Sequence, residues 1–535
     1  MLWASFPQLW RPSMFQSRSL IRWLAAAVVP VLGAAPALAN EPPANLVLDL
    51  EQSVIAPSTG PVEVHVLIRL DGRPAPAIDV EAERQRLNLG LTLDTSGSMD
   101  EARKWDYALD ATYRVIERLN EEDRLSITTY SFKANALAAQ DALGRPESLR
   151  NKLAAIYPDG GTNISAGLKN NARLVSFSKD DGRLTRIVLM SDGLANEGIT
   201  DIDEMRRLVK RMSNSGITVS TIGLGSDYDE EMLRAIAEAG SGNYYYVESP
   251  SQATTIFDQE VRGLFQTVAE DVRLNLVGAE GVEAELLNDI EFADQSHELG
   301  TLRHDETIVL VAKFTLPRAR VGQEIDLGSV QVTMKERETG RLILLEENLS
   351  LTVSDDAETV AASLKGDVSA ERTLVEIERA EREAAELVAL GDYDKANALY
   401  EESKGILQSA TGALAGMVSG AAMNNLKAKQ EALDLQSERM AEPSPAAASS
   451  IKAANQSLFY ASKGQRQLSI MQPGDKGFEI ENLQRALQGA GYAVTDVDGE
   501  FDDELEQAVR SYQSDNGLTV DGLAGPSTLA KLGLY

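Results

Sequence analysis

Three hydrophobic rhythms follow one another along the chain. Within 40–86, Val62, Val64, Val66 and Ile68 alternate with Glu63, His65 and Leu67, a mostly period-two pattern broken by Pro57, Gly60, Pro74 and Pro76. That pattern predicts half-buried β-strands. From 87 to 265, short apolar runs at 87–93, 125–130, 187–190, 218–224 and 244–247 alternate with amphipathic helical patterns near 101–119, 164–177, 201–214 and 229–239. Such alternation predicts βαβ units and a mainly parallel, doubly wound sheet, whose ligands bind beyond the carboxyl ends of the strands. Between 266 and 356 the β-pattern returns. Val272, Leu274 and Leu276 alternate with polar neighbours, and 308–311 and 342–345 read as buried strands. We expect a β-sandwich there, completed by the strands of 40–86, with the α/β domain inserted into it.

Residues 357–440 are rich in Ala, Glu, Leu and Lys and predict a helical segment. Gly391-Asp392-Tyr393, with Ala396 and Tyr400, resembles the turn and second helix of one tetratricopeptide unit. A solenoid needs about three units to bury its faces, so a plain helical hairpin is the expectation. Glu442-Pro443-Ser444-Pro445-Ala446 marks a linker, taken as 441–468, with a short helix near 449–462. Residues 469–535 form a module of their own. Ile480, Leu483 and Leu487 line one helix, and Ala508, Val509 and Tyr512 a second. Thr528, Leu529 and Leu532 close the module, and Asp498-Gly499 and Asp521-Gly522 supply the turns. The whole is multidomain α/β: a doubly wound sheet flanked by a sandwich, then a helical segment and a small three-helix bundle.

Composition narrows the chemistry. At 535 residues the chain exceeds one hydrophobic core. Its formal net charge of -31 repels nucleic acid. It has no cysteine, which excludes disulfides, thiolate metal sites, cysteine nucleophiles and lipid attachment through a lipobox cysteine. Arg11, Arg18 and Arg22 precede a short apolar run from Trp23 to about Leu32, and then Ala37-Leu38-Ala39. This order predicts a signal peptide over 1–39 and export to the periplasm or cell wall. No later segment is apolar enough to span a bilayer, so the mature chain is expected to have no transmembrane span.

The chemistry-bearing residues follow the first α/β strand. Asp94-Thr95-Ser96-Gly97-Ser98 lies at that strand's mouth, Gly160-Gly161-Thr162-Asn163 opens a later helix, and Ser191-Asp192-Gly193 ends the strand at 187–190. Three loops at one sheet edge thus offer the carboxylates of Asp94 and Asp192 and the hydroxyls of Ser96, Ser98 and Thr162. All are hard oxygen donors, suited to Mg²⁺, Ca²⁺ or Mn²⁺ and unsuited to zinc or copper. The expected arrangement binds the three hydroxyls directly and lets the two carboxylates hold waters. Neutral ligands leave the cation's charge poorly quenched, so a further carboxylate from a partner is attracted. These three elements resemble the metal-ion-dependent adhesion site of von Willebrand factor type A domains. The flanking Thr221-Ile222-Gly223-Leu224-Gly225 and Gly242-Asn243-Tyr244-Tyr245-Tyr246-Val247 resemble the secreted bacterial branch often labelled calcium-activated chloride channel homologues. The resemblance implies a protein-binding domain that grips an exposed Asp or Glu through a metal, and it does not imply a channel.

The terminal module resembles the three-helix peptidoglycan-binding domain of many cell-wall hydrolases. It departs from that pattern at Asp502-Asp503-Glu504-Leu505, where an acidic helix start replaces Gly-x-x-Thr. Peptidoglycan is the ligand this implies. The function expected is therefore a non-catalytic envelope protein. The alternatives are a cell-wall hydrolase and a subunit of an enzyme complex. Against a hydrolase, His65, His297 and His304 lack zinc spacing, and no segment resembles a catalytic domain.

Overall fold

The computed structural model describes residues 42–535 apart from 75–85, 139–145, 178–182, 226–227, 248–259, 261–262, 265, 289–291, 294–295, 441–444, 466–469, 533 and 535. The proposed signal segment, 1–39, lies outside the described residues.

Strands β1 (Ala44–Leu50), β2 (Val54–Ile55) and β3 (Val62–Gly72) precede the α/β unit. That unit contains β4 (Leu87–Asp94), α1 (Lys104–Arg118), β5 (Arg124–Tyr130), β6 (Ala134–Ala138), α2 (Pro146–Ala154) and α3 (Ile164–Val175). Then follow β7 (Leu184–Ser191), α4 (Ile202–Asn214), β8 (Thr218–Leu224), α5 (Glu230–Ala239) and β9 (Ser241–Val247). Its strands are ordered β6-β5-β4-β7-β8-β9. All pairs are parallel except β5 with β6. Only three residues join β5 to β6, too few for a crossover, so that pair is a hairpin and the sheet is mixed. Every residue of β4 and β7 is buried, as a strand covered on both faces requires. From β4 the chain turns first to β5 and later, on the other side, to β7. This reversal makes the carboxyl end of β4 the switch point of the sheet.

Helix α3 is held close to that point. A Cβ on Gly90 would lie 2.6 Å from Asn171 Oδ1, so only glycine lets α3 approach β4 this closely. Asn171 then donates to Thr92 Oγ1 (2.9 Å) and accepts from Ser126 Oγ (2.9 Å), fixing α3 across β4 and β5. Helices α3, α4 and α5 each begin at a capping side chain, Asn163, Asp201 and Asp229, that accepts a first-turn N–H.

After the α/β unit come β10 (Thr267–Gly278), β11 (Glu283–Leu286), β12 (Phe292–Ala293), β13 (Ser296–Arg303), β14 (Thr307–Leu316), β15 (Glu324–Glu336) and β16 (Leu342–Val353). Two sheets result, β1-β3-β14-β11 and β12-β13-β10-β15-β16-β2, around a core that includes Val66, Ile68, Leu274, Leu310, Phe314 and Val332. β3 pairs with β14 from Val62↔Leu316 to Asp71↔Thr307. The strands before and after the α/β unit therefore share a sheet, and that unit is an insertion.

Helices α6 (Ala357–Ala362), α7 (Gly366–Ala389), α8 (Tyr393–Ala413) and α9 (Gly420–Met440) follow. The last three pack on one another through Leu374, Ile377, Tyr400, Leu407, Leu426 and Leu433. Val368 and Val375 of α7 also contact Leu67 and Val311 of the sandwich.

The stretch expected as a linker contains α10 (Pro445–Ser462). Its Phe459 and Tyr460 join the core of the α/β unit. Gln456 accepts the Tyr246 N–H from the outer edge of β9 (2.6 Å), and Lys463 donates to the Gly242 carbonyl (2.9 Å). The Pro, Ser and Ala residues that suggest a linker occupy only the start of this segment. The adjacent aromatics farther on supply the apolar area that docks it.

The terminal module comprises α11 (Phe478–Gly489), α12 (Asp503–Asp515) and α13 (Pro526–Lys531) around Ile480, Leu483, Phe501, Leu505, Val509 and Leu529. Two buried glutamines hold its turns in the same way. Gln484 donates to Asp498 and accepts the Gly499 N–H, while Gln513 donates to Asp521 and accepts the Gly522 N–H. Asp502 of the acidic departure caps α12 by accepting the Leu505 N–H (2.9 Å).

Candidate metal centre

The five sequence-predicted residues stand at the carboxyl edge around the switch point. Asp94 ends β4, and its carboxylate accepts three hydrogen bonds from the protein. One oxygen accepts the Ser96 N–H (2.8 Å); the other accepts the hydroxyls of Ser191 (2.6 Å) and Tyr130 (3.2 Å). Burial pushes the Asp94 carboxyl up to about 6. Hydrogen bonds from Ser191 and Ser96 oppose that rise, and the Asp192 charge adds to it. A cation nearby would favour the ionised form.

The two serines form a directed chain. Ser98 Oγ donates its single proton to Asp192 Oδ1 (2.8 Å). The 3.2 Å contact between Ser96 Oγ and Ser98 Oγ therefore has Ser96 as donor. Both protons point toward Asp192, which leaves oxygen lone pairs for another electrophile. Thr162 joins them across Gly193. A Cβ there would lie 3.0 Å from Thr162 Oγ1 and 3.6 Å from Ser98 Oγ, so the glycine keeps open the space between these hydroxyls.

Loop-to-loop hydrogen bonds hold this arrangement. Gly97 N–H donates to Gly160 O (3.1 Å), Asp159 N–H to Thr95 O (2.9 Å), and Asn163 N–H to Ser131 O (2.9 Å). Gly160 adopts φ +91°, a conformation only glycine takes without strain, and the ring of Phe132 lies against it. Asn196 accepts the Thr162 N–H (2.8 Å).

Sequence reasoning missed Lys104. Its buried ammonium donates to Asp192 Oδ2 at 2.6 Å. The signal available was a lysine six positions beyond Ser98, at the start of an amphipathic helix. Nothing local distinguishes it from a solvated lysine. Ser191 and Tyr130 were also passed over as Asp94 partners, though Ser191 belongs to the motif.

Two family models match the chain. The von Willebrand factor type A domain covers residues 88–259, and the putative peptidoglycan binding domain covers 476–532. An uncharacterized protein of Synechocystis, sll0103, is 30% identical over 307 residues, which is 52% of this chain and 69% of that relative. The chain belongs to the von Willebrand factor type A domain proteins. Escherichia coli YfbK, also uncharacterized, is 31% identical over 190 residues. That is 35% of this chain and 33% of YfbK, so the match spans about a third of that relative. Among solved structures, the von Willebrand factor type A protein from Catenulispora acidiphila superposes with a TM-score of 0.54 at 16% identity. It covers 74% of this chain and 90% of that one, a likeness of fold.

A von Willebrand factor type A domain carries a divalent cation at its metal-ion-dependent adhesion site. The residues here fit such a group. Hydroxyls from two loops stand beside the Asp192 carboxylate of a third, and Asp192 has acceptor capacity beyond its bonds to Ser98 and Lys104. Lys104 offsets the Asp192 charge. Of the two carboxylates, only Asp94, bonded to a backbone amide and two hydroxyls, then faces the position without a cationic partner.

Proposed function

We propose that this protein is a non-catalytic, exported envelope protein that grips an acidic group on a protein partner through one divalent cation and binds peptidoglycan through its terminal module. The convergence of Ser96, Ser98, Thr162 and Asp192 around Gly193 carries the reading. Ser96, Ser98 and Thr162 bind a hard cation, Mg²⁺ in first place, with Ca²⁺ or Mn²⁺ as substitutes. Asp94 and Asp192 orient its waters. The cation supplies Lewis acidity toward an incoming carboxylate, and the chain's residues hold the site open and weakly charged.

The domain limits we propose are 1–39 for the signal peptide, 40–86 and 266–356 for the sandwich, and 87–265 for the adhesion domain. The helical segment is 357–440, and the peptidoglycan-binding domain is 469–535. The peptidoglycan-binding match supports a wall or periplasmic location. Among the described residues no helix is long and apolar enough to cross a membrane.

Three measurements test the reading. Titration calorimetry of the full chain with Mg²⁺ should show one site, with acetate binding only to the metal-loaded protein. Co-sedimentation with purified sacculi should retain the full chain and release it when 469–535 is deleted. An absence of Mg²⁺, Ca²⁺ and Mn²⁺ uptake sinks the adhesion reading. A clearing zone in a peptidoglycan zymogram sinks the non-catalytic one.

A further inference from the structure

Large apolar side chains at the surface of the α/β unit are unevenly placed. Among its described residues, Phe132 (57% exposed), Tyr157 (87%), Phe177 (73%) and Leu194 (59%) stand out in solvent. Phe177 lies past the carboxyl end of α3, away from the candidate site. The other three lie on the loops that build that site. Phe132 packs on Gly160 and Gly161, immediately before Thr162. Leu194 follows Gly193, which spaces Thr162 from Ser98. Tyr157 precedes Asp159, whose amide is bonded to the Thr95 carbonyl. Scattered exposed apolar residues need no explanation, but three on the loops around one polar cluster form a surface.

Charge on the same loops restricts what that surface meets. Asp100, Glu101, Asp159 and Glu197 are exposed there, against Lys133 and Arg103, the latter paired with Asp106 at 2.8 Å. The chain as a whole carries -31. A polyacidic segment would be repelled by this edge even though a cation sits at its centre. A lone carboxylate between apolar residues reaches the cation, covers the rim and brings little further negative charge.

We propose that Phe132, Tyr157 and Leu194 form an apolar collar around the metal position that selects a partner segment presenting one Asp or Glu flanked by large apolar side chains. This rests on the cation-and-carboxylate reading above and adds the context of the carboxylate. The cation supplies attraction common to every carboxylate. The collar supplies discrimination, because desolvating the flanking side chains is favourable only when they are apolar.

The test uses the full chain with saturating Mg²⁺ and four end-blocked tripeptides, Leu-Asp-Leu, Gly-Asp-Gly, Leu-Asn-Leu and Asp-Asp-Asp, with affinities read by ligand-observed NMR. Leu-Asp-Leu should bind about tenfold more tightly than Gly-Asp-Gly, and Leu-Asn-Leu should bind more weakly than either. Tyr157→Ser with Leu194→Ser, both surface changes, should bring the first two peptides to within about twofold while leaving Mg²⁺ affinity unchanged. Equal binding of Leu-Asp-Leu and Gly-Asp-Gly to the unmodified chain overturns the collar and leaves the underlying reading standing. Tighter binding of Asp-Asp-Asp than of Leu-Asp-Leu overturns it in favour of an acidic partner. A Mg²⁺-dependent dimer lost in the double variant overturns it in favour of self-association. If no peptide binds although Mg²⁺ does, the carboxylate reading falls and the collar falls with it.

Discussion

The α/β sheet carries a buried cation–carboxylate pair at each end, and the two are finished differently. Near the amino ends of β7, β8 and β9, Glu260 accepts from Arg186, Ser220, Asn243 and Tyr245. Four donors satisfy a carboxylate, and this one is fully buried. At the carboxyl ends, Asp192 accepts from Lys104 and Ser98, and the neighbouring hydroxyls keep lone pairs directed elsewhere. The first pair is closed upon itself and fixes structure. The second retains coordinating capacity in a place that glycines hold open. Burial of charge alone does not distinguish a functional site from a structural one. The count of donors around the carboxylate does.

The largest effect is expected where the closed pair is broken. Glu260→Ala leaves Arg186 buried and unpaired, a loss of about 3–5 kcal/mol. Chemical denaturation should show it as a lower midpoint, with Mg²⁺ affinity unchanged in the protein that remains folded. Asp192→Asn should shift the balance toward the metal. It keeps shape and one hydrogen-bond acceptor but leaves the buried Lys104 ammonium without its counter-charge, so stability falls as well, by about 1–3 kcal/mol. Mg²⁺ affinity should fall about a hundredfold or more in calorimetry. If Glu260→Ala weakens Mg²⁺ binding as much as Asp192→Asn does, the two ends are not separable and the contrast fails.

Acid sharpens the same contrast. Burial works against ionisation of Glu260, yet the Arg186 charge and hydrogen bonds from Ser220, Tyr245 and Asn243 hold its carboxyl down at about 2. Glu51 is alike. Burial opposes its charge, and hydrogen bonds from His65 and Ser369 with the Arg372 charge hold it at about 2. The ordinary value for both is 4.5. A depressed carboxylate pKa lends stability that is whole above 4.5 and drains away as pH falls toward 2. The melting temperature should therefore fall across that window, and Glu260→Gln should flatten the decline. A profile of the same steepness in Glu260→Gln would remove Glu260 from the acid response.

How much of this could be read in the chain follows from what each element depends on. The alternation of 87–247 carries period and length locally, so the βαβ units and the loops bearing Asp94, Thr162 and Asp192 were legible. β6 was not, because Ala134–Ala138 has no strong alternation and is defined by its pairing with β5. Lys104 and Glu260 were invisible for a related reason. Each is an ordinary charged residue until a partner 88 or 74 positions away meets it. The docking of α10 was hidden by an Ala-rich start, although Phe459-Tyr460 was a signal against free chain. In the terminal module the Asp-Gly turns were plain, while the glutamines that hold them were readable only as members of an amphipathic helix.

The smallest effect tests the seam between α10 and the sheet. β9 is the outer strand of its sheet, and an outer strand leaves backbone groups to be satisfied by something else. Gln456 meets one of them by accepting the Tyr246 N–H. Gln456→Ala removes that acceptor beneath a helix that still covers the edge through Phe459 and Tyr460. The cost should be about 1 kcal/mol, the usual penalty for one buried amide left without a partner. Hydrogen exchange should locate it, with faster exchange at Tyr246 and little change at the β4 and β7 amides. Unchanged protection at Tyr246 would mean that apolar contact alone seals this edge. Faster exchange spreading to β7 would join the seam to the metal loops, a coupling that the self-contained donor sets at the two ends of the sheet argue against.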